Sequence, residues 1–239
     1  MLVESFPAQV FGTNCYVVAA SAGEQCVVID PGIGVLDALD AVLAKHRLSP
    51  AAVLLSHGHL DHTFSVAPVC GARGITAYVH PDDAYMLADP AKALSTDITA
   101  MFGGRLPYTP PDDVAELVDG MTVSIAGLDF VVDHAPGHTG GSVLFHLAAT
   151  ALADGFAGPP EPLCFSGDVL FRDSIGRTDL PGGSMQQMVR SLREKILPLP
   201  DETVVLPGHG DATTIGRERA RNPYLREAQT FGQAPHRGL

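Results

Sequence analysis

The chain has 239 residues, 46% of them hydrophobic and 18% charged, with 15 Lys and Arg against 27 Asp and Glu for a net charge of −12. A chain of this length buries about 70–75% of the surface its unfolded form exposes, so it needs no disulfide staples, and its apolar content excludes a disordered polymer. The acidity argues against a nucleic-acid binder, which uses a basic stripe to displace counterions from phosphate, and no apolar run approaches the ~20 residues of a membrane span.

In chain order, residues 9–19 are apolar and β-branched around Thr13 and Asn14 and read as a strand. Residues 26–30 form a second strand that ends in the turn Asp30-Pro31-Gly32. Apolar positions 35, 36, 39, 42 and 43 have helical spacing, which predicts a helix over 35–46. The continuous apolar run 51–55 predicts a strand buried on both faces, and it stops at the string SHGHLDH. A strand over 75–79 and a helix over 81–87 follow. Residues 89–111 are rich in Pro and Gly and read as a short helix plus a long surface loop, a cover over a site.

A second strand-rich region then runs through 115–118, 122–125, 129–134, 142–146 and 163–166, with 149–162 as a hairpin insertion. Ser184 followed three residues later by Gln187 is a capping-box start for a helix. Residues 203–206 are one more buried strand, and 214–230 are helical with a break at Asn222-Pro223. Each half has several strands, a strand that ends in a polar loop, and then a helix. This rhythm suggests two β-rich layers with helices outside, an α/β arrangement in one domain spanning 1–239 with a short helical tail.

The four cysteines, Cys15, Cys26, Cys70 and Cys164, include no C-x-x-C pair. The opening MLVESFPAQVFGTN lacks the basic and apolar segments of a signal peptide, so the expectation is a cytoplasmic protein with reduced, buried thiols.

The chemistry lies in few residues. His57-Gly58-His59-Leu60-Asp61-His62 packs four metal-capable side chains into six positions directly after a buried strand. Alternating His57 and His59 can grip one ion from an extended turn, and Asp61 and His62 come from the next turn and can face a second. Three later strands end in glycine-rich turns with one donor each: His138 in Pro136-Gly137-His138, Asp168 in Gly167-Asp168, and His209 in Pro207-Gly208-His209. Together these are seven donors, five His and two Asp, more than the four a single structural zinc takes. They suit two divalent ions with open positions and one shared carboxylate; zinc is the first expectation, and iron and manganese fit the same donors.

The pattern H-x-H-x-D-H, then His, Asp and His, resembles the metallo-β-lactamase superfamily over residues 8–225. That resemblance implies a four-layer αββα sandwich with the site at the edge between two sheets. It implies His57, His59 and His138 as ligands of the first metal, Asp61, His62 and His209 as ligands of the second, and Asp168 as the bridge. The strings GDVLFRDSIGRTDLPGG and LPGHGDATTIGRERARNPYL are similar to the hydroxyacylglutathione hydrolase (glyoxalase II) group, particularly its compact bacterial branch. Ser56 stands where that group usually has Thr. Human-type members of that group have a larger C-terminal helical part with basic glutathione-binding residues; here a short tail follows His209 and Lys195 is the one Lys of the second half, so the expectation is a thiol carrier recognised in another way.

The resemblance implies hydrolysis of an S-(2-hydroxyacyl)glutathione, or of an ester of another low-molecular-weight thiol, by attack of a metal-bridging hydroxide. Asp61 would orient that nucleophile. The expected partner is a small-molecule thioester, with no nucleic acid and no membrane. Arg177 and Asp179 are candidates to brace the metal loop or, for Arg177, to meet a substrate carboxylate. Arg105 and Arg172 are less specific. His80, His134 and His146 read as structural, and His46 and His236 as solvent-facing. Tyr78, Tyr85 and Tyr108 are unranked candidates for a pocket wall.

A persulfide dioxygenase with one Fe(II) is the alternative of the same fold, but its last His usually sits in A-H-D-Y, whereas this chain has Pro207-Gly208-His209-Gly210. A nuclease is disfavoured by the charge. A β-lactamase is disfavoured by the missing signal peptide and by the unaltered second-site ligands.

Overall fold

The computed structural model describes residues 1–93, 107–150 and 161–230. In the first six-stranded sheet, β1 (Leu2–Pro7), β2 (Asn14–Ala19) and β3 (Gln25–Ile29) are antiparallel neighbours. Helix α1 (Leu36–His46) then leads to β4 (Ser49–Leu54), parallel to β3. The short helices α2 (Leu60–Thr63) and α3 (Val66–Gly71) precede β5 (Thr76–Val79). After α4 (Ala84–Ala88), β6 (Val114–Glu116) closes the sheet beside β5, again parallel.

The second six-stranded sheet is an antiparallel meander of β7 (Thr122–Ile125), β8 (Leu128–His134), β9 (Val143–Thr150) and β10 (Glu161–Gly167). Helix α5 (Met185–Ser191) leads to β11 (Val204–Pro207), parallel to β10, and β12 (Thr213–Thr214) pairs at the edge. Helices α6 (Ile215–Arg221) and α7 (Pro223–Thr230) follow.

The layers follow from the two-residue period of a strand. On β3, Val27 and Ile29 join Leu54, Phe130, Phe145, Phe165 and Leu206 in the core between the sheets. Cys26 and Val28 point the other way, into a core shared with Leu39 and Leu43 of α1 and Val66 and Val69 of α3. On the far side, Leu144, Cys164 and Val205 pack with Met188, Leu192, Ile215 and Leu225 of the later helices. Because strands such as 51–55 are covered on both faces, they read as unbroken apolar runs. The result is the expected helix–sheet–sheet–helix sandwich.

Some boundaries differ from the sequence reading. Residues 9–19 are not one strand: β2 begins at Asn14, and a separate edge strand β1 pairs with it from Leu2 to Pro7. An edge strand is only partly buried, so β1 carries little apolar periodicity. Residues 115–118 do not open the second region, because β6 completes the first sheet. Its partner β5 is separated from it by a long crossover that no local pattern reveals. The loop after His59 is helical through α2 and α3.

Half of the capping box forms: Ser184 Oγ accepts from Gln187 N at 3.3 Å, while Ser184 N donates to the Gly137 carbonyl at 2.8 Å instead of to the Gln187 side chain. The break at Asn222 also holds, and its Oδ1 accepts from Tyr224 N at 3.0 Å. Of the expected cover over 89–111, Pro90–Ala93 forms a 3-10 turn, and 94–106, including Arg105, lie outside the described residues. So do 151–160 of the hairpin insertion, and His236. All four cysteines are free and buried. Among the described residues, no helix is long and apolar enough to cross a membrane.

Candidate metal centre

Four loops meet where β4, β8, β10 and β11 end, and each contributes donors. After β4, residues 57–59 belong to no helix or strand, and His59, extended at φ −64° and ψ 144°, is the residue before α2. Asp61 and His62 therefore sit on the first helical turn, as two consecutive side chains aimed beside the first pair. His138 follows β8, Asp168 follows β10, and His209 follows β11. Gly208 makes the last approach possible. A Cβ there would collide with Asp168 Oδ1 and would lie 2.7 Å from His62 Cε1, so any larger residue would push His209 away.

The donor atoms fall into two groups that share Asp168. His138 Nε2 lies 2.8 Å from His59 Nδ1 and 3.2 Å from His57 Nε2. In the second group, Asp61 Oδ2 lies 3.2 Å from His209 Nε2 and 3.6 Å from His62 Nε2. Asp168 reaches both: its Oδ2 is 3.4 Å from His138 Nε2 and 3.7 Å from His209 Nε2, and its Oδ1 is 3.4 Å from His62 Nε2. Donors about 2.0–2.1 Å from one tetrahedral ion lie roughly 3.4 Å apart, so these separations suit shared ions. Among the described residues, the buried His62 Nε2 and Asp168 Oδ1 have no hydrogen-bond partner. Leaving such atoms unmet costs about 1–3 kcal/mol each, and a cation between them removes that cost. The sequence reading thus placed all seven donors in one cluster, and the structure brings all seven together.

The electrostatics agree. Burial holds His57 well below the ordinary imidazole value, His59 down at about 4 and His138 at about 3, which keeps these three neutral, the ligand form. On the other side, burial works against charge on His62, but Asp61, Asp168 and Asp30 together raise it to about 10. Burial lifts the Asp168 carboxyl to about 6 against the pull of His62 and His209. Asp61 goes the other way: burial opposes ionisation, yet His62 and His209 hold it below the carboxylate range. The second group is thus a pocket that attracts positive charge.

Outer hydrogen bonds fix which ring nitrogen faces inward. His138 Nδ1 donates to the Arg177 carbonyl at 2.7 Å. His62 Nδ1 donates to Asp30 Oδ2 at 3.0 Å. Ser56 Oγ donates to the same oxygen at 2.5 Å and stands 3.1 Å from His57 Nδ1. With its own proton committed to Asp30, Ser56 accepts from His57, so one carboxylate sets the tautomers of two imidazoles. Thr13 Oγ1 donates to Asp61 Oδ2 at 3.0 Å. Asn14 Nδ2 and Tyr16 Oη donate to the Pro207 carbonyl at 3.0 and 2.7 Å, pinning the turn before His209.

Sequence reasoning missed Asp30, Thr13, Asn14 and Tyr16 as site residues. For Asp30 a signal existed in the sequence, since it is an acid closing an apolar strand; in the structure its φ of 51° marks an unusual backbone position.

Arg177 and Asp179 form a two-pronged pair, Nε to Oδ1 at 2.7 Å and Nη2 to Oδ2 at 2.8 Å, with both side chains exposed. Arg177 therefore braces His138 through its backbone carbonyl, while its guanidinium faces solvent beside the site. His80, Asp82 and His134 form another group with metal-capable atoms. The two rings stack at 3.9 Å with an 8° tilt, so their in-plane lone pairs run parallel rather than converge on one ion. His134 Nε2 also donates to the Gly140 carbonyl at 2.8 Å, in keeping with a structural role. His146 faces Asp133, with Nε2 3.1 Å from Oδ2.

A helix–sheet–sheet–helix fold with two His/Asp donor groups at one edge defines a class of metal-binding proteins. The family profile described as Metallo-beta-lactamase superfamily matches residues 8–152 and 156–209, and the chain belongs to that superfamily, whose members are mostly hydrolases. It is 45% identical over 226 residues to an uncharacterized protein of Mycobacterium tuberculosis, covering 94% of this chain and 98% of that one. It is 30% identical over 226 residues to the hydroxyacylglutathione hydrolase GloC of Haemophilus influenzae, covering 94% of this chain and 98% of that one. Among solved structures, the crystal structure of the BLEG-1 B3 metallo-beta-lactamase superposes with a TM-score of 0.77 at 36% identity, covering 93% of this chain and 99% of that one.

Proposed function

We propose that this protein is a binuclear metal-dependent thioester hydrolase acting on S-(2-hydroxyacyl)glutathione or on a related low-molecular-weight thiol ester. The observation that carries the reading is Asp168, whose two oxygens face the two donor groups. His57, His59 and His138 would hold one ion, Asp61, His62 and His209 the other, and Asp168 both. Two divalent ions so held lower the pKa of a bound water to about 7 and polarise a carbonyl.

The chain's own residues do the rest. Asp61, steadied by Thr13, accepts a hydrogen bond from the attacking water and orients it. Asp30 and Ser56 keep His62 and His57 in the tautomers that present Nε2 inward. The leaving thiolate belongs to a group with a pKa of about 8.5, so departure needs no strong general acid. GloC of Haemophilus influenzae, a relative named as a hydroxyacylglutathione hydrolase, matches along nearly the whole chain and so supports the reading.

The likeness to a metallo-beta-lactamase supports a second reading, hydrolysis of a β-lactam amide by the same centre. An amine leaving group needs a proton that a thiolate does not, which favours the thioester.

The test is a substrate panel on metal-analysed protein: S-D-lactoylglutathione with thiol detection, a chromogenic β-lactam, and glutathione persulfide in an oxygen electrode. Thiol release that stops with chelator and returns with zinc, iron or manganese supports the thioesterase. β-Lactam turnover without thiol release supports the second reading. Oxygen uptake with one iron per chain would replace both with a dioxygenase.

A further inference from the structure

Directly behind the first donor group lies a carboxylate that neither the sequence reading nor the proposed chemistry uses. Asp83 is fully buried and precedes α4. Its Oδ2 accepts from Gly58 N at 2.8 Å and from Thr139 Oγ1 at 2.6 Å, and its Oδ1 accepts from Gly141 N at 2.7 Å. Gly58 stands between His57 and His59, and Thr139 directly follows His138. One carboxylate thus ties the loop that carries two imidazoles to the loop that carries the third.

The surroundings are shaped around it. A Cβ on Gly141 would come within 2.6 Å of Asp83 Cγ, and one on Gly58 within 3.0 Å of Asp83 Cβ. Both neighbours are glycine where Asp83 needs contact with their backbones. Among the described residues, no side-chain cation is one of its partners. A buried anion without a cation costs several kcal/mol unless its lone pairs are met, and here three donors meet them. A core that needed only packing would use an apolar residue, so the retained carboxylate points to a role in holding the three donors.

We propose that Asp83 is a positioning residue for the first metal half-site: it fixes the spacing of His57 and His59 relative to His138 by clamping the two loops that carry them. The proposal rests on the reading of those three histidines as ligands of one ion. A carboxylate accepts at every position, whereas an amide carries two donors. In Asp83→Asn one oxygen would be replaced by NH₂, which would face either Gly58 N–H or Gly141 N–H, donor against donor. One loop would then be released while the side-chain volume stayed nearly constant.

The test titrates metal-free wild type, Asp83→Asn and Thr139→Val with Co(II), followed by its visible d–d bands, and with Zn(II) by competition against a chromogenic chelator. Thermal unfolding of each metal-free protein is run in parallel. Losing an outer partner of a ligand lowers metal affinity about 10–100-fold. The expected result is a loss of that order for Asp83→Asn, confined to one of two binding steps, with an altered Co(II) spectrum for that step. Thr139→Val, which keeps the carboxylate but removes one donor, should show a smaller loss in the same step. If Asp83→Asn does not fold, Thr139→Val decides alone.

Unchanged affinity and spectrum with only a lower melting temperature would overturn the proposal and make Asp83 a fold staple. Equal loss in both steps would overturn it as well. Wild type that binds no Co(II) or Zn(II) would instead defeat the underlying reading of the donors, and the proposal with it.

Discussion

His62 Nδ1 lies 3.0 Å from Asp30 Oδ2, and that contact decides which face of the imidazole looks into the metal centre. Because Ser56 Oγ reaches the same oxygen at 2.5 Å, Asp30 also governs His57 on the other half-site. A residue that touches no substrate therefore links both donor groups. Asp30→Asn would place an NH₂ or a weaker acceptor against His62 and Ser56. Its expected effect is a 10–100-fold loss of affinity in both metal-binding steps, measured by chelator competition. This contrasts with the single-step loss expected for Asp83→Asn.

Asp168→Ala removes the side chain that faces both groups. Bound metal, measured by elemental analysis after gel filtration, should fall from two equivalents per chain to one or fewer. Retention of two tightly held ions would mean that Asp168 is not the shared ligand.

Gly208→Ala tests packing rather than charge. The added methyl would meet Asp168 Oδ1 and His62 Cε1. Overpacking of this kind costs about 1–3 kcal/mol, and each kcal/mol moves the midpoint of a chain this long by about 2–4 °C. A drop of roughly 2–12 °C in the melting temperature of the metal-free protein is expected, with weakened binding in the His209 half-site.

The stacked pair His80 and His134 gives a pH prediction. Burial first, and then the neighbouring His134, lower the His80 pKa in the folded chain. The unfolded chain therefore binds protons more readily than the folded one. The stabilising contribution is fully present above the unfolded value of about 6.5 and is lost as pH falls below it. His80→Asn retains a side-chain acceptor for Asp82 N, which His80 Nδ1 meets at 3.3 Å. The melting-temperature advantage of wild type over this variant should shrink between pH 7.5 and 5.5; growth of the gap would reverse the sign.

Arg177→Ala separates the two roles considered for that residue. His138 is held by the Arg177 carbonyl, which any residue supplies, and the guanidinium pairs with Asp179 in solvent. Metal content and melting temperature should stay at wild-type values. A raised KM for S-D-lactoylglutathione with unchanged kcat would assign the guanidinium to a substrate carboxylate. An unchanged KM would leave it a surface pair.

How much of this was legible in the sequence depended on distance along the chain. The donors His57, His59, Asp61 and His62 sit in one six-residue string, and His138, Asp168 and His209 each follow a strand and a glycine. Local pattern therefore sufficed for the first string, while each of the later three was weak alone and gained weight only beside it. The residues that steady them lie far off: Asp30 is 26 positions from Ser56, Thr13 is 48 from Asp61, and Asp83 is 56 from Thr139. Such contacts arise only when the sheets close, and no periodicity announces them. The core strands were readable as double-faced apolar runs. Edge strand β1 and the parallel placement of β6 were not, because an edge has little to bury and a crossover hides its partner.

The most direct test of the two-metal hydrolase is the rate of thiol release from S-D-lactoylglutathione as metal-free protein is reloaded from zero to two equivalents of Zn(II) per chain. A two-metal hydrolase gives little activity through the first equivalent, a rise with the second, and a plateau at two. A full rate at one equivalent, or no thiol release at any loading, would contradict it.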